Sequence, residues 1–274
     1  MNLKGKTVLV TGAARGIGQA IAVELARAGA HIFALDLHRQ DLESTMSEVE
    51  AVGGQIKAFE GDVADREAMR RFIDELFMLH GGFDVLVNNA GVILTGPFAG
   101  HDPWSIQKLL DINLTAAILL TRYSLDYLLK REQAHIVNLA SLAGKFAPEG
   151  LAVYAAAKHG IVGFSSALRE ELREYGIGVS WICPSFVQTR MVENIQRTFL
   201  TPLVQPEDVA RAVRQAIEKN LGEVFVPRSM RWSVGKFSAV MPGLARRMLR
   251  KVKHSRSWYE VKHDTLSVGK PCDN

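Results

Sequence analysis

Lys-Thr-Val-Leu-Val-Thr-Gly-Ala-Ala-Arg-Gly-Ile-Gly, residues 6–18, joins a short apolar run to a turn that holds three glycines. The β-branched first half predicts a strand, and the residues after the turn predict a helix. Gly12, Gly16 and Gly18 carry no side chain, so the backbone there can approach a bound anion closely. The helix adds unsatisfied N–H groups and the positive end of its dipole. The stretch therefore predicts a strand–turn–helix unit that cradles an anion.

The same alternation of short β-rich runs and longer helical stretches continues along the chain. The runs that predict strands are 6–11, 31–36, 56–61, 84–88, 135–140, 178–183 and 223–227. Asp65, the pair Asp102-Pro103 and Pro206 each mark the start of a helix. Such alternation predicts an α/β domain, residues 1–227, in which a parallel sheet of about seven strands is doubly wound by helices. Residues 228–274 form an extension beyond it.

Composition narrows the class of protein further. The chain has 274 residues, 47% of them apolar, no apolar run of membrane-spanning length and no signal peptide at its start, so we expect a cytoplasmic location. Its two cysteines, Cys183 and Cys272, offer neither a disulfide framework nor a metal site. The net charge of the chain is +4, and its basic character belongs mainly to residues 228–256, which contain Lys and Arg but no Asp or Glu. We expect no metal and no nucleic-acid partner.

An acidic residue at the end of the second strand bears on which dinucleotide the turn would hold. Asp36 stands eighteen residues after Gly18, close to the spacing of about 20 at which a carboxylate meets the adenosine ribose hydroxyls. A carboxylate there repels a 2′-phosphate, so Asp36 favours NAD over NADP. Arg15 and Arg39 lie near enough in sequence to reach a 2′-phosphate, which leaves NADP as the alternative.

Two further segments follow neighbouring strands. Asp62-Val63 follows the third strand, and Asn88-Asn89-Ala90-Gly91 follows the fourth. Open α/β sheets bind ligands at the carboxyl ends of their strands. We therefore expect both segments at the cofactor site, with Asn89 holding a ribose or a backbone group.

Tyr154 and Lys158 are four residues apart, about one helical turn, and Tyr154 follows Ser141 by thirteen residues. The i, i+4 spacing places the phenol and the ammonium on one face of the helix. A positive charge beside a phenol favours the phenolate, which makes the tyrosine usable as an acid and base.

Taken together, these motifs resemble the short-chain dehydrogenase/reductase family over residues 5 to 227. The matching motifs are Thr11-Gly12-x3-Gly16-Ile17-Gly18, Asn88-Asn89-Ala90-Gly91, Asn113, Ser141, Tyr154-x3-Lys158 and Pro184-x2-Val187-x-Thr189. The resemblance implies a Rossmann-type fold and hydride transfer with a nicotinamide cofactor.

The resemblance also implies a role for each catalytic residue. Tyr154 would exchange a proton with the substrate oxygen, and Ser141 would hydrogen-bond that oxygen. Lys158 would lower the tyrosine pKa and bind the nicotinamide ribose. Asn113 would hold a water in a proton relay behind Lys158.

The nicotinamide carboxamide would be held after the sixth strand, at Val187 and Thr189, although Ser185 replaces the family's usual glycine. The predicted cofactor-binding residues are Gly12, Arg15, Gly16, Ile17, Gly18, Asp36, Asp62, Val63, Asn89, Gly91, Tyr154, Lys158, Val187 and Thr189.

Residues 188–205, where the family has its substrate lid, are largely apolar. With Leu142, Phe146 and Phe186 they predict an apolar pocket for a lipophilic secondary alcohol or its ketone. The alternatives are an NADPH-dependent carbonyl or 3-oxoacyl-thioester reductase, and a nucleotide-binding sensor or scaffold without turnover.

Two predictions concern partners. By resemblance, helices 103–131 and 153–175 would pair in a homodimer or homotetramer. Residues 244–253 predict a basic amphipathic helix that packs on the protein itself or a neighbouring subunit, contacts an anionic membrane, or binds an anionic partner. Residues 255–274 predict a poorly ordered tail.

Overall fold

A computed structural model describes residues 1–188 and 203–232 of the chain. Its strands are β1 Thr7–Thr11, β2 His31–Asp36, β3 Gln55–Glu60, β4 Val85–Asn88, β5 Ala134–Leu139, β6 Ile177–Pro184, β7 Phe186–Val187, β8 Leu203–Val204 and β9 Glu223–Val226. Seven of them form a parallel sheet in the order β3-β2-β1-β4-β5-β6-β9, and β7 pairs with β8 apart from it. This is the doubly wound Rossmann-type fold that the alternating sequence predicts.

Helices cover both faces of the sheet. They are α1 Gly16–Arg27, α2 Glu43–Ala51, α3 Arg66–Leu79, α4 Pro103–Leu110, α5 Ala116–Leu128, α6 Ala152–Leu172 and α7 Pro206–Lys219. A π turn, Asp111–Thr115, joins α4 to α5. Leu9 belongs to an apolar cluster that includes residues of α3, α5 and α6, whereas its neighbours Val8 and Val10 belong to a cluster that includes residues of α1 and α7. Because successive strand residues face opposite layers, a strand covered on both sides must be apolar throughout.

The seven predicted strands are confirmed, with ends that differ by no more than one residue. Asp65 caps α3 by accepting a hydrogen bond from Ala68 N at 2.9 Å, Asp102 caps α4 in the same way, and Pro206 is the first residue of α7. The long helix predicted from residue 103 is interrupted by the π turn, which the sequence pattern did not indicate. The β7–β8 pair was also not predicted.

The strand order fixes where the two halves of the sheet diverge. The chain runs outward from β1 through β2 to β3, and then returns to place β4 on the other side of β1. Loops leaving β1 and β4 therefore part from each other and open a crevice at the carboxyl edge, where such sheets bind ligands.

Some predictions concern residues that lie outside the described part of the chain. They are Thr189, most of the predicted lid, the predicted helix at 244–253 and the predicted tail at 255–274. Among the residues described, no helix combines the length and apolarity needed to span a bilayer.

Candidate active site

The glycine-rich turn after β1 uses its glycines for two separate geometric reasons. Gly12 and Gly16 have φ angles of +64° and +58°, in the left-handed region that favours glycine. Gly18 is required by packing, because a Cβ at this position would lie 1.9 Å from the carbonyl oxygen of Gly12. The first turn of α1 thus sits directly against the end of β1. The N–H groups at the start of α1 consequently border the crevice.

Two side chains from distant parts of the chain hold this turn in place. The Asn89 amide donates to the carbonyls of Thr11 and Gly12, both at 2.9 Å. Thr45, fully buried in α2, donates to the carbonyl of Ala13 at 2.8 Å. Asn89 therefore holds backbone, one of the two roles predicted for it. Thr45 was missed, and its only sequence signal is that it shares the apolar side of α2 with Val49.

We expect Thr45→Val, which has the same shape but no hydroxyl, to weaken NAD binding about tenfold while leaving kcat unchanged. Without the hydroxyl a buried carbonyl of the turn lacks its donor, at a cost of about 1–3 kcal/mol. Calorimetric titration with NAD measures the effect, and Thr45→Ser is the matched control because it keeps the donor. Unchanged NAD affinity in a variant that only loses stability would contradict a role in shaping the cradle.

Asp36 ends β2 beside this turn. One carboxylate oxygen accepts from Ala14 N and the other from Leu37 N, both at 2.8 Å. The carboxylate is thereby fixed at the rim of the crevice, and each oxygen keeps a second lone pair for a ribose hydroxyl. Arg15 and Arg39, the two arginines that could bind a 2′-phosphate, are both exposed. Arg15 lies inside the glycine-rich turn, and Arg39 begins a short 3₁₀ helix after β2.

The predicted residues after β3 and β4 reach the same edge. Asp62 accepts from Ala64 N at 2.9 Å and shapes the turn that leads into α3, while Val63 packs against the core. Gly91 lies against Asn113, since a Cβ there would come within 3.3 Å of the Asn113 carboxamide oxygen.

Asn113 sits at the centre of the π turn and is buried. Its carboxamide accepts from Val92 N at 2.8 Å and donates to Val92 O at 2.7 Å. This reciprocal pair fastens the segment after β4 to the α4–α5 helix. The side chain therefore has a positioning role, and its part in a proton relay stays a prediction.

Ser141, Tyr154 and Lys158 meet at the carboxyl end of β5. The Ser141 side chain lies near enough to Tyr154 to lower the pKa of its hydroxyl, and the Lys158 ammonium lies 5.7 Å from the centre of the Tyr154 ring. Lys158 is 5% exposed and donates to Leu139 O at 2.7 Å. Tyr154, Ser141 and Lys158 thus lie together at one edge of the crevice, with the buried ammonium bonded to the end of β5.

The pKa shifts of Tyr154 and Lys158 differ from the expectation that Lys158 favours the phenolate. Burial raises the pKa of Tyr154, and the hydrogen bond from Ser141 opposes this. Burial also lowers the pKa of Lys158, to about 8. The ammonium is directed at the Leu139 carbonyl, and its own charge is costly in this environment. In the chain alone the tyrosine is therefore held as the neutral phenol, the form that can give a proton to a ketone.

Apolar side chains surround Tyr154. Ile93 and Leu151 are buried beside it, and Phe186 packs against both. Of the three residues proposed to line the pocket together with the lid, Phe186 belongs to this group, whereas Leu142 and Phe146 pack in a separate cluster with Trp181 and Met230. Ile93 and Leu151 were missed, since as single apolar residues in loops they carry no recognisable pattern. Val187 is buried next to Phe186 in β7, where it was predicted to meet the nicotinamide.

Comparison with known proteins places this geometry in a family. The short chain dehydrogenase family model matches residues 6–199. The chain is 37% identical over 227 residues to ketoacyl reductase HetN from Nostoc sp., covering 82% of this chain and 79% of that protein. It is 33% identical to estradiol 17-beta-dehydrogenase 11 from Rattus norvegicus, covering 84% and 78%.

Solved structures agree with the sequence relatives. Carveol dehydrogenase from Mycobacterium avium in complex with NAD matches with a TM-score of 0.76 and 28% identity, over 82% of this chain and 97% of that one. A metagenomic short-chain oxidoreductase in complex with NADP matches with a TM-score of 0.70 and 33% identity, over 82% and 98%. The chain belongs to the short-chain dehydrogenase/reductase family, whose members are oxidoreductases that bind NAD or NADP.

Proposed function

We propose that the protein interconverts a lipophilic secondary alcohol and its ketone with NAD. The observation that carries this proposal is the convergence of Ser141, Tyr154 and Lys158 at one edge of the crevice, beside the glycine-rich turn and under an apolar wall. A sensor or scaffold would need the turn but has no use for a buried acid–base group. The convergence therefore supports turnover.

The residues present fit a dinucleotide. The pyrophosphate would lie on the turn around Gly16 and the first N–H groups of α1, and the adenosine ribose would meet Asp36. Lys158 would hold the nicotinamide ribose, and Val187 with Thr189 the carboxamide. When bound, the cofactor supplies or accepts the hydride.

The chain's own residues handle the proton. Ser141 donates a hydrogen bond to the substrate oxygen and holds it beside the Tyr154 hydroxyl. Tyr154 gives its proton to the oxygen of a ketone, or takes one from an alcohol. Lys158, with its ammonium 5.7 Å from the ring centre, would place a positive charge near the phenolate that remains after the proton has left. Ile93, Leu151 and Phe186 exclude water and offer an apolar surface to the carbon skeleton.

The position of Asp36 supports NAD as the cofactor. Its carboxylate is fixed at the rim of the crevice beside the glycine-rich turn, where it would repel the 2′-phosphate of NADP. Among the similar structures NAD and NADP both occur, so the relatives alone favour neither.

The apolar wall around Tyr154 supports a lipophilic substrate. Two proteins of similar sequence or structure are named for such substrates, estradiol and carveol. The second candidate is reduction of a 3-oxoacyl thioester, which the 37% identity to a ketoacyl reductase favours. A homodimer or homotetramer formed through α4, α5 and α6 and a cytoplasmic location are part of the proposal. Residues 244–253 would pack on the protein itself or a neighbouring subunit, with contact to an anionic membrane or binding of an anionic partner as the alternatives.

Initial rates at 340 nm with NAD and NADP test the proposal. The panel would contain steroid, terpenoid, aryl and aliphatic secondary alcohols, together with acetoacetyl thioester in the reducing direction. We expect turnover with the lipophilic alcohols and a preference for NAD. Thioester reduction with NADPH and no alcohol oxidation would instead establish the second candidate.

A further inference from the structure

Glu60 is a carboxylate beside the predicted ribose site that the catalytic chemistry does not use. It ends β3, which is the edge strand of the sheet, and its register partner on β2 is Asp36. Side chains of directly paired residues in parallel strands lie on the same face of the sheet. Glu60 and Asp36 therefore project toward the same turn.

Glu60 contacts the residue that could change the cofactor preference. Its Oε2 accepts from the backbone N–H of Arg39 at 2.9 Å. The Arg39 guanidinium in turn donates to the carbonyl of Ala58 in β3 at 3.0 Å. Arg39 is thus held by backbone and side chain against the edge strand.

Arg39 has two competing uses. On an edge strand a carbonyl that faces outward lacks a ladder partner, and Arg39 supplies a donor to Ala58. The same guanidinium, turned toward Asp36, would be a suitable partner for a 2′-phosphate, because arginine binds phosphate with two parallel hydrogen bonds. Only two residues separate Arg39 from Asp36, so the alternative position requires a change in the local turn alone.

We propose that Glu60 is a positioning residue for cofactor choice, which disfavours NADP by holding Arg39 against β3 and away from the ribose site. This inference rests on the proposed NAD preference. It concerns a residue and a contact that the family's motifs do not include.

Binding titrations on the full-length chain test it. We would measure the dissociation constants of NAD, NADP and adenosine 2′,5′-bisphosphate by calorimetry for the unsubstituted protein and for Glu60→Ala. We expect NADP and the bisphosphate to bind about tenfold more tightly to Glu60→Ala, a gain typical of one new charge-assisted contact, with NAD changed less than twofold.

Three further variants separate the explanations. In Glu60→Ala combined with Arg39→Ala the gain should disappear, because it depends on the released guanidinium. Glu60→Gln keeps an acceptor for Arg39 N and should show less than half of the gain. Glu67→Ala removes an exposed carboxylate from the first turn of α3 and should change none of the constants.

The proposal is overturned if Glu60→Ala gains no NADP affinity, or if the gain survives removal of Arg39. A gain in Glu60→Gln equal to that in Glu60→Ala would also overturn it, because charge alone would then explain the effect. Tighter binding of NADP than of NAD by the unsubstituted chain would contradict the proposed cofactor instead, and the ratio between variants would still decide the role of Glu60.

Discussion

Tyr154→Phe should lower kcat by about 10²–10⁴-fold while NAD affinity changes little, because the substitution removes a positioned proton donor and leaves the ring in place. The ring still packs against Ile93, Leu151 and Phe186, so the apolar wall is kept. Steady-state rates with the best alcohol of the panel, combined with calorimetric titration of NAD, would measure both quantities.

Tyr175→Phe is the matched control for this substitution. Tyr175 is 66% exposed on the short turn after α6, so loss of its hydroxyl should leave both quantities unchanged. A Tyr154→Phe protein that retains more than a tenth of the turnover would show that another group moves the proton. The acid–base assignment would then be wrong even if the NAD-dependent reaction were confirmed.

Gly18→Ala should have the largest structural effect among single-methyl additions to the cofactor site. The added Cβ would lie 1.9 Å from Gly12 O and 2.6 Å from the Asn89 amide nitrogen, so α1 and the end of β1 must move apart. Overpacking of this kind costs about 1–3 kcal/mol and sometimes more. Since the movement opens the pyrophosphate cradle, we expect NAD binding to fall below detection by calorimetry, together with a lower midpoint in urea.

Gly100→Ala provides the comparison, because a Cβ at that glycine would meet nothing within 4 Å. Its stability and NAD affinity should equal those of the unsubstituted chain. If Gly18→Ala bound NAD normally, the close approach of α1 to β1 would be dispensable, and the turn would bind its ligand through other groups.

The sheet could be predicted from sequence because each strand has a local cause. In β1 and β4 both faces are buried, so their apolar runs are uninterrupted and bounded by turns. Ser141, Tyr154 and Lys158 could be proposed as catalytic residues because a strand end and a helix spacing agree with the family resemblance, whereas Asn113 was proposed from the resemblance alone. Their convergence at one edge then follows from parallel strand direction alone.

The features that sequence did not reveal depend on contacts between distant segments. Thr45 braces the glycine-rich turn across about thirty residues, and nothing near either partner marks the contact. Leu142 and Phe146, proposed from sequence for the substrate pocket, pack in a cluster with Trp181 that is separate from the residues around Tyr154, so their place in the pocket stays a prediction. The raised pKa of Tyr154 reflects burial, which the i, i+4 spacing does not report.

The Asn89 amide closes the turn after β1 from 77 and 78 residues away. A growing chain that has exposed only its first βαβ unit therefore possesses the glycines but lacks the group that fixes their carbonyls. The dinucleotide site is therefore incomplete until β4 has inserted beside β1. Cofactor binding during refolding should thus report the closing of the central sheet, and it should appear after the local helices have formed.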